Sequence, residues 1–410
     1  MRRVAVTGWG VVSPFGEGVD PLMDAVNAGR SAVRAFAGRN DGPWPLRAAA
    51  WNDSYDPRAH FPLAQLNSLD RTTQLAVVAA RAALAMAGRD GMPHAEACGI
   101  HVGTGMGSAG TLDSTYRTYY ADNNTRLRPL TVPTVMTNAS AAQIALETGF
   151  AGANLTYSCA CASSAVAIGE AVRRIRHGDA QLMLAGGSEA LVVPSVVYAW
   201  EALRTLADVD AAAPSASCRP FSLRRSGLVL GEGAAFLVLE DWDAACARGA
   251  RPLAEICGYG SGSDSGHLTR PTVEGQARAM AAALRDAALA PAAIGYINAH
   301  GTGTQANDST ESAAIRQVFG DLADHLPVSS TKAVHGHLLG AAAALELLVT
   351  LCALQSGLAP PTAHLDEPDP ACALDHVRGA ARRLPDITHA MSNSFAFGGT
   401  TGVLIARRVA

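Results

Sequence analysis

The segment SCACASS at residues 158–164 constrains the fold of this 410-residue chain more than any other stretch. It lies between a short strand-like segment, 153–157, and a long amphipathic run, 165–177, and so predicts a sharp turn from a strand into a helix. Backbone N–H groups at a helix N-terminus carry partial positive charge, and we expect them to favour the thiolate form of a cysteine in this turn. The thiolate is the nucleophilic form, which indicates covalent acyl chemistry. Taken alone, the pattern also fits a small cysteine buried in a tight turn.

Two later segments place histidines in turns of similar composition. Residues 298–304 (NAHGTGT) follow a strand-like run and contain His300. Residues 330–342 (STKAVHGHLLGAA) open a helix and contain His337. A single histidine in such a turn is more often structural than catalytic. A cysteine at a helix start combined with two histidines in Gly/Thr-rich turns, however, forms a nucleophile-and-base constellation.

Composition excludes several classes of protein. The chain is 49% hydrophobic and 17% charged, which is too apolar for a disordered protein and sufficient for a large core of two or three domain-sized units. Its 32 basic and 36 acidic residues nearly balance, and no basic stripe with interleaved aromatics occurs, so we expect no nucleic-acid partner. The most apolar long run, 340–354, is interrupted by Glu346 and is too short to span a bilayer. It predicts a buried core helix and no membrane partner.

The cysteines indicate a cytoplasmic protein. The eight residues are scattered and lack the CxxC spacing of zinc or redox sites, so we expect reduced thiols and no metal. The first eight residues contain no apolar stretch adequate for a signal peptide.

Strand-like and helix-like segments alternate along the chain, which predicts an α/β fold with sheets covered by helices. A strand over 2–7 is followed by a glycine-rich turn at 8–10, where the third glycine of a dinucleotide-binding loop is missing. Residues 258–275, rich in Gly, Ser and Asp, have the composition of an interdomain linker. The second half repeats the strand–helix order of the first, which suggests two related halves. Further elements are predicted at 71–86 (helix), 98–102 (strand), 138–147 (helix), 182–184 (strand), 236–239 (strand), 276–289 (helix), 294–299 (strand) and 309–319 (helix).

Taken together, these motifs resemble those of the β-ketoacyl–acyl carrier protein synthases, the elongating ketosynthases of fatty-acid and polyketide assembly, including type II polyketide ketosynthases. The resemblance covers nearly the whole chain, and its motifs occur in the family's order. They lie at 6–14 (VTGWGVVSP), 103–107 (GTGMG), 160–164 (ACASS), 185–190 (AGGSEA), 219–221 (RPF), 231–234 (GEGA), 298–304 (NAHGTGT), 331–342 (TKAVHGHLLGAA) and 393–400 (NSFAFGGT).

The resemblance implies a thiolase-like fold, in which two similar halves form five layers in the order α-β-α-β-α. The first half, 1–250, would carry the nucleophile Cys161, and the second half, 251–410, would carry the two catalytic histidines. The segment around Asp264 would be an active-site loop rather than a linker. A dimer is also implied, either a homodimer or a heterodimer with a chain-length-factor-like subunit.

The resemblance assigns roles to individual residues. Cys161 would take an acyl group from a carrier protein, and His300 and His337 would hold the enolate formed from malonyl–carrier protein. Lys332, supported by Glu346, would keep the site cationic and ordered. The remaining assignments are Phe397 (oxyanion N–H and gate), Met106 (acyl pocket), and Thr302, Thr304 and Thr269 (pantetheine binding).

The implied function is decarboxylative Claisen condensation of the Cys-bound acyl chain with malonyl–acyl carrier protein, which extends the chain by two carbons. The acyl carrier protein would be the partner and would bring the phosphopantetheine, so the chain itself would need no cofactor. Two alternatives stay open: a non-elongating, chain-length-factor-like partner subunit, and a ketosynthase repurposed for cyclisation or hydrolysis. Partner subunits of that kind generally lack the catalytic cysteine. Thiolases usually add a second catalytic cysteine near the C-terminus, and residues 393–399 contain none.

The chain departs from the family pattern at several positions. Cys159 stands where Thr is frequent, Ala396 where Gly is frequent and Thr401 where Asn is frequent. His335 is an extra imidazole two residues before His337, for which we expect a solvated or structural role. These changes point towards a specialised ketosynthase of secondary metabolism.

Overall fold

The computed structural model describes residues 2–36, 47–89 and 96–409. Its strands are β1 (Val4–Ser13), β2 (Gly16–Glu17), β3 (Arg34–Phe36), β4 (Arg47–Ala50), β5 (Cys98–Gly103), β6 (Asn154–Tyr157), β7 (Leu182–Ala190), β8 (Leu230–Asp241), β9 (Ala254–Ser263), β10 (Tyr296–Asn298), β11 (Val328–Ser329), β12 (Leu358–Ala359), β13 (Arg382–Arg383), β14 (His389–Phe395) and β15 (Thr400–Arg408). Its α-helices are α1 (Val19–Asn27), α2 (Leu63–Leu66), α3 (Arg71–Met86), α4 (Ala109–Tyr120), α5 (Thr131–Val135), α6 (Ala139–Thr148), α7 (Ser163–His177), α8 (Pro194–Ala202), α9 (Trp242–Ala247), α10 (Val273–Asp286), α11 (Gln305–Phe319), α12 (Lys332–His335) and α13 (Ala342–Ser356). Short 3₁₀ turns precede two of the long helices, at Ala160–Ala162 before α7 and at Leu339–Ala341 before α13.

Ten strands form two five-stranded arrangements with the same order. The first runs β1-β8-β7-β5-β6 and the second runs β9-β15-β14-β10-β11. The directions also correspond: β5 is parallel to both of its neighbours in the first, as β10 is in the second, whereas the remaining pairs are antiparallel. A short pairing of β1 with β9 joins them into one mixed sheet. The two halves therefore share one topology, as predicted.

Three layers of helices cover these strands. α3 and α6 pack on the outer side of the first half, α10 and α11 on the outer side of the second, and α7 and α13 pack between the halves. Separate hydrophobic clusters fill these layers, and the middle one includes Ile168 and Ile175 of α7 and Leu345 and Leu348 of α13, all fully buried. The layer order is α-β-α-β-α, which confirms the predicted thiolase-like fold.

α13 contains the long apolar run predicted to form a core helix. The segment Leu339–Ser356 is long and apolar enough to cross a membrane by composition alone, but 89% of it is buried within the protein. It packs against α7 and against strands of both halves. The prediction of a buried core helix is confirmed.

Two glycine-containing strands are longer than the sequence predicts. β1 does not turn at Gly10 but continues to Ser13. The glycine is needed there because α3 crosses β1 so closely that a Cβ on Gly10 would lie 2.1 Å from the Ala79 oxygen. β7 likewise continues through Gly186, where a Cβ would lie 2.0 Å from the Ala235 oxygen of β8. These glycines permit close packing of neighbouring backbone and do not mark turns.

The segment 258–275 is not a linker, contrary to its composition. β9 continues to Ser263, and residues 264–272 then form a loop that lines the cavity described below. The segment around Asp264 is a loop on a cavity wall, and its role as an active-site loop stays a prediction. Composition misleads here because Gly and Ser suit a tightly folded loop as well as an open one.

Candidate active site

A sharp turn between β6 and α7 presents Cys161. β6 ends at Tyr157, Ala160 adopts a left-handed φ of 47°, and Cys161 follows in a 3₁₀ turn that leads into α7. The Ser163 hydroxyl accepts the N–H of Cys159 at 2.8 Å and lies 2.7 Å from the Ala160 carbonyl oxygen. These local bonds fix the turn, and they leave Cys161 only 5% exposed.

His337 lies in the second half, between α12 and the 3₁₀ turn Leu339–Ala341 that precedes α13. Its backbone N–H donates to the Val229 carbonyl at 2.6 Å, and its carbonyl accepts the Gly231 N–H at 2.9 Å. The backbone N–H of Leu339 donates to Nδ1 of the His337 ring at 3.1 Å. Since Nδ1 accepts this bond, the ring proton is on Nε2. Nε2 is buried and has no partner in the described part of the chain, so His337 presents a free N–H donor.

The loop after β10 places His300 beside His337. The backbone N–H groups of His300 and Gly301 both donate to the Glu311 carboxylate, each at 2.8 Å. The ammonium of Lys332 donates to the His300 carbonyl at 2.6 Å and lies 3.4 Å from Nδ1 of the His300 ring. An ammonium can only donate, so Nδ1 accepts and Nε2 of His300 also carries the proton.

Cys161, His300 and His337 converge on one point in the structure. The Sγ atom and one ring nitrogen from each histidine lie within 4.8 Å of one another. The two imidazole rings meet edge to face, with centroids 5.4 Å apart and planes at 82°. Cysteine and histidine are also zinc ligands. Here each ring offers Nε2–H instead of a lone pair, which suits the stabilisation of a negatively charged oxygen.

Lys332 is fully buried beside His300 and is the only lysine in the sequence. Its ammonium forms an ion pair with Glu346 at 2.5 Å in addition to its contacts with His300. At all other strongly cationic positions the chain uses arginine. An ammonium is a compact charge with three donors, whereas a guanidinium is planar and wider, so lysine suits a position where one cation meets a carbonyl, an imidazole and a carboxylate.

Burial determines the protonation of these groups. It raises the pKa of the Cys161 thiol to about 12, although the Lys332 charge and the backbone N–H groups of Phe397 and Cys161 act in the opposite direction. The resting nucleophile is therefore a thiol, and the sequence-based prediction of a thiolate is wrong because desolvation outweighs the helix N-terminus. Burial and then the Lys332 charge lower the pKa of His300 and of His337 well below the ordinary range, so both rings are neutral.

A cavity opens onto this cluster. Its wall includes three of the predicted catalytic residues and all three predicted pantetheine-binding residues: Cys161, His300, His337, Thr302, Thr304 and Thr269. The hydroxyls of Thr302 and Thr304 lie 2.9 Å apart, and Thr304 also caps α11 by accepting the Asn307 N–H at 3.3 Å. These two threonines thus form hydrogen bonds within the protein and also line the cavity.

Phe397 also lines the cavity, on a glycine-rich turn. Its backbone N–H faces the Sγ atom of Cys161, and its ring stacks on Trp200 of α8 with centroids 5.8 Å apart. The next residue, Gly398, has a left-handed φ of 84° and donates its N–H to the Leu268 carbonyl at 2.8 Å. The turn is therefore bonded to the loop between β9 and α10.

Met106 is not brought to this cavity. It is 51% exposed and is absent from the cavity wall. Its backbone N–H donates to the Glu189 carboxylate at 3.2 Å. Met106 therefore does not share a wall with Cys161 in this cavity, and its acyl-pocket role stays a prediction.

His335 has a structural position. It is fully buried, and its ring nitrogens lie 2.9 Å from the Thr331 hydroxyl and 2.7 Å from the Gly336 carbonyl oxygen. Both ring nitrogens are thus occupied. Of the two roles expected from the sequence, the structural one fits and the solvated one does not.

Two carboxylates outside the predicted site residues hold the His300 loop. Glu311 binds the loop as described above, and Asp308 accepts the N–H groups of Thr302 at 3.0 Å and of Gly303 at 3.2 Å. Both acids are fully buried. Their spacing of three residues on α11, directly after the motif at 298–304, places them on one helix face and is a signal that could have indicated this role.

Glu189 is a third buried carboxylate that the sequence did not reveal. It lies at the end of β7 and accepts the N–H groups of Gly105 and, at 3.1 Å, of Gly340. Its carboxylate therefore joins the loop after β5 to the 3₁₀ turn that follows His337. No local pattern predicts this contact, because Glu189 and Gly340 are 151 residues apart in sequence.

Comparison with known proteins matches both halves of the chain. The family model described as "Beta-ketoacyl synthase, N-terminal domain" matches residues 1–245, and that described as "Beta-ketoacyl synthase, C-terminal domain" matches residues 253–366. Nodulation protein E of Rhizobium meliloti (strain 1021) is 42% identical over 410 residues, with 100% of both chains covered. The 3-oxoacyl-[acyl-carrier-protein] synthase 2 of Coxiella burnetii is 38% identical over 411 residues, covering 100% of this chain and 99% of that protein.

A solved structure shows the same fold. It is the AntDE:AntF assembly, a type II polyketide acyl carrier protein in complex with its ketosynthase bound to the hexaketide. The matched chain superposes with a TM-score of 0.90 and is 31% identical, and each chain is covered completely.

Proposed function

This chain belongs to the β-ketoacyl synthase family, and we propose that it catalyses decarboxylative condensation between an acyl chain on Cys161 and malonyl–acyl carrier protein. Family membership makes it a condensing acyltransferase that elongates acyl chains in fatty-acid or polyketide assembly. The observation that carries the residue assignments is the convergence of the Cys161 Sγ atom with two imidazoles that each present Nε2–H. A non-elongating partner subunit is not favoured, because the nucleophile and both histidines are present.

The first step is acyl transfer from the carrier to Cys161. The Sγ atom attacks the thioester carbonyl, the bond to the pantetheine sulfur breaks, and the thiol proton of Cys161 leaves with that sulfur. The backbone N–H groups of Cys161 and Phe397 lie beside Sγ and stabilise the oxyanion that forms. Because burial keeps Cys161 protonated, its own proton is available to the leaving group.

The second step is loss of carbon dioxide from the malonyl group. The bond between C2 and the carboxylate breaks, and its electron pair forms an enolate with negative charge on the thioester oxygen. The Nε2–H groups of His300 and His337 donate to this oxygen, and the nearby Lys332 charge adds a favourable field. Neutral rings suit this role, since each has one acidic N–H fixed in direction by the bond at Nδ1.

The third step is carbon–carbon bond formation. C2 of the enolate attacks the acyl carbonyl on Cys161, the bond to Sγ breaks, and Sγ takes up one proton that comes from water. The product is a β-ketoacyl group on the carrier, longer by two carbons. The same two backbone N–H groups serve the oxyanion of this step and of the first, because the attacked carbonyl occupies the same position beside Sγ.

We propose the acyl carrier protein as the partner. The ketosynthase in the AntDE:AntF assembly binds a carrier of this kind. In the present chain, Thr269, Thr302 and Thr304 supply hydroxyls along the cavity for the amide groups of the pantetheine arm. The phosphopantetheine belongs to the carrier, so the chain is proposed to use no cofactor or metal of its own.

A dimer through the edge of β6 is proposed as the working state. β6 is the last strand of its arrangement, and Leu155 at its centre is 41% exposed. Further exposed apolar residues include Met106 at 51%, Leu130 at 53% and Val132 at 66%. An unpaired strand edge and exposed apolar side chains are typical of association surfaces. The partner would be a second copy or a chain-length-factor-like subunit.

The compartment we propose is the cytoplasm. All eight cysteines are free thiols in the structure, and four of them are buried. Reduced cysteines are typical of a reducing compartment.

Intact-protein mass spectrometry tests the proposed function. The protein would be incubated with a panel of acyl–carrier proteins, alone and with malonyl–carrier protein added afterwards. We expect an acyl adduct on the wild type, none on Cys161→Ala, and discharge of the adduct as a β-keto product two carbons longer. A homogeneous dimer that forms no adduct with any donor would contradict the proposal.

A further inference from the structure

The loop between β9 and α10 places an arginine on the cavity wall. Arg270 follows Thr269, lines the cavity and is exposed to solvent. It forms no ion pair with any carboxylate of the described residues. The arginines on α7 differ, since Arg173 pairs with Glu170 at 2.8 Å and Arg176 with Asp286 at 2.6 Å. Arg270 thus has its charge available for a ligand, whereas the α7 arginines do not.

Backbone hydrogen bonds hold the Arg270 loop in place. The Asp264 carboxylate accepts the N–H of Thr272 at 2.5 Å and of Gly266 at 3.3 Å. The Asp264 N–H in turn donates to the Gly399 carbonyl at 2.7 Å. These bonds occupy the Asp264 carboxylate and tie the loop to the turn that carries Phe397. The loop that carries Arg270 is therefore held by bonds of Asp264 at its start.

We propose that Arg270 binds the phosphate of the phosphopantetheine arm. The inference rests on the proposed function, which brings that arm into this cavity. The phosphate is the one charged group of the arm, and its remaining polar groups are hydroxyl, amide and thioester. A guanidinium donates two parallel hydrogen bonds to phosphate oxygens, which a lysine cannot reproduce. Arg270 would hold the charged end of the arm while Cys161 and the histidines hold the reacting end.

The test compares two small donors that differ only in the phosphate: acyl-phosphopantetheine and acyl-pantetheine. The rate of Cys161 acylation would be measured for the wild type, Arg270→Ala, Arg270→Lys and Arg278→Ala. Arg278→Ala is the matched control, because Arg278 is an exposed arginine of α10 that does not line the cavity. In the wild type and the control we expect the phosphate to raise kcat/KM roughly three- to tenfold.

The readout is the ratio of kcat/KM for acyl-phosphopantetheine to that for acyl-pantetheine: Arg270→Ala should bring this ratio close to one, Arg270→Lys should retain part of it, and Arg278→Ala should keep the wild-type ratio. A phosphate effect that persists in Arg270→Ala would overturn the proposal, as would an equal loss in Arg278→Ala. Acyl–carrier protein and acyl–coenzyme A, which share the phosphopantetheine, distinguish the source of the arm. A loss with the carrier supports the assignment, and a loss with coenzyme A alone overturns it. Failure of the proposed function is separate, since the wild type would then accept no donor.

Discussion

The two halves of this protein reach the cavity through the same backbone turn but contribute different chemistry. β6 and β11 are the edge strands of their arrangements, and each leads to a 3₁₀ turn followed by a 15-residue helix, α7 or α13. The first residue of each turn is left-handed: Ala160 has a φ of 47° and Leu339 a φ of 46°. The next residue is Cys161 in the first half and Gly340 in the second. The nucleophile therefore has no counterpart in the second half.

The connection before each turn explains the difference. Ala160 comes three residues after Tyr157, the last residue of β6, whereas Leu339 comes ten residues after Ser329, the last residue of β11. The longer connection contains α12 and provides Lys332 and His337. The short connection of the first half thus supplies the nucleophile. The long connection of the second half supplies the Lys332 cation and the His337 N–H donor. The site therefore needs both halves, because each connection supplies only some of these groups.

Removal of the first half's contribution should have the largest effect. Cys161→Ala should abolish acyl loading completely, because among the described residues Cys161 is the thiol that lies within 4.8 Å of a ring nitrogen of both histidines. Decarboxylation of malonyl thioester should continue, since its donors come from the second half. Intact-protein mass and carbon dioxide release measure the two reactions. Cys159→Ala is the matched control and should load normally; loading of Cys161→Ala would show that another nucleophile acts.

Removal of the second half's donor should have the reverse effect. His337→Ala should lower the decarboxylation rate by about 100- to 1,000-fold, the typical cost of losing one oxyanion donor. Single-turnover release of carbon dioxide from malonyl–carrier protein measures this rate. A decrease confined to KM would show that His337 only binds substrate.

Breaking the buried ion pair between Lys332 and Glu346 should destabilise the protein more than removing both of its charges. Lys332→Met leaves Glu346 without its partner and should lower the free energy of unfolding by about 3–5 kcal/mol. The double variant Lys332→Met/Glu346→Leu removes both charges and should be less destabilised than Lys332→Met. Urea denaturation measures both values. Equal destabilisation would mean that the uncompensated carboxylate is not the cause.

Gly340, the counterpart of Cys161 in the second half, should not tolerate a side chain. A Cβ on Gly340 would lie 2.3 Å from the backbone nitrogen of Gly105, so even Gly340→Ala should cost about 1–3 kcal/mol in the free energy of unfolding. Gly398→Ala, where nothing lies near the added Cβ but φ is 84°, separates crowding from backbone strain. Denaturation midpoints give the comparison. A stable Gly340→Ala variant with full activity would contradict the close contact.

The smallest effect should be that of pH on the decarboxylation rate. Burial lowers the pKa of both catalytic histidines far below their ordinary value of about 6.5, so neither should gain a proton as the pH falls through that value. Glu346 differs, because burial raises its pKa to about 7 despite the opposing Lys332 charge. In Glu346→Gln the decarboxylation rate should therefore be flat between pH 8 and about pH 5.5. An inflection near 6.5 in this variant would show that a histidine titrates.

The parts of the fold that depend on local pattern could be predicted from the sequence. α3 occupies the predicted residues 71–86, because the Asp70 carboxylate caps it by accepting the Thr72 N–H at 2.9 Å and Gly88 follows its end. The ends of the strands that contain Gly10 and Gly186 could not be predicted. These glycines are required by close contact with backbone that is distant in sequence, and a local pattern does not show such contacts.

The site divides in the same way. The sequence predicts four site residues because each lies in a short contiguous motif: Cys161, His300, Lys332 and His337. Glu189 was not predicted, because its contact with Gly340 spans 151 residues. The thiolate state of Cys161 was predicted incorrectly, since a helix N-terminus is visible in sequence and the degree of burial is not.

The most direct test of the division between the halves is a chase experiment on His337→Ala. The variant would be loaded from acyl–carrier protein, mixed with malonyl–carrier protein, and followed by intact-protein mass over time. We predict that the acyl adduct forms on Cys161 at close to the wild-type rate and then persists, because the enolate that would discharge it is not formed. Discharge at the wild-type rate, or failure of a folded variant to load, would contradict the account.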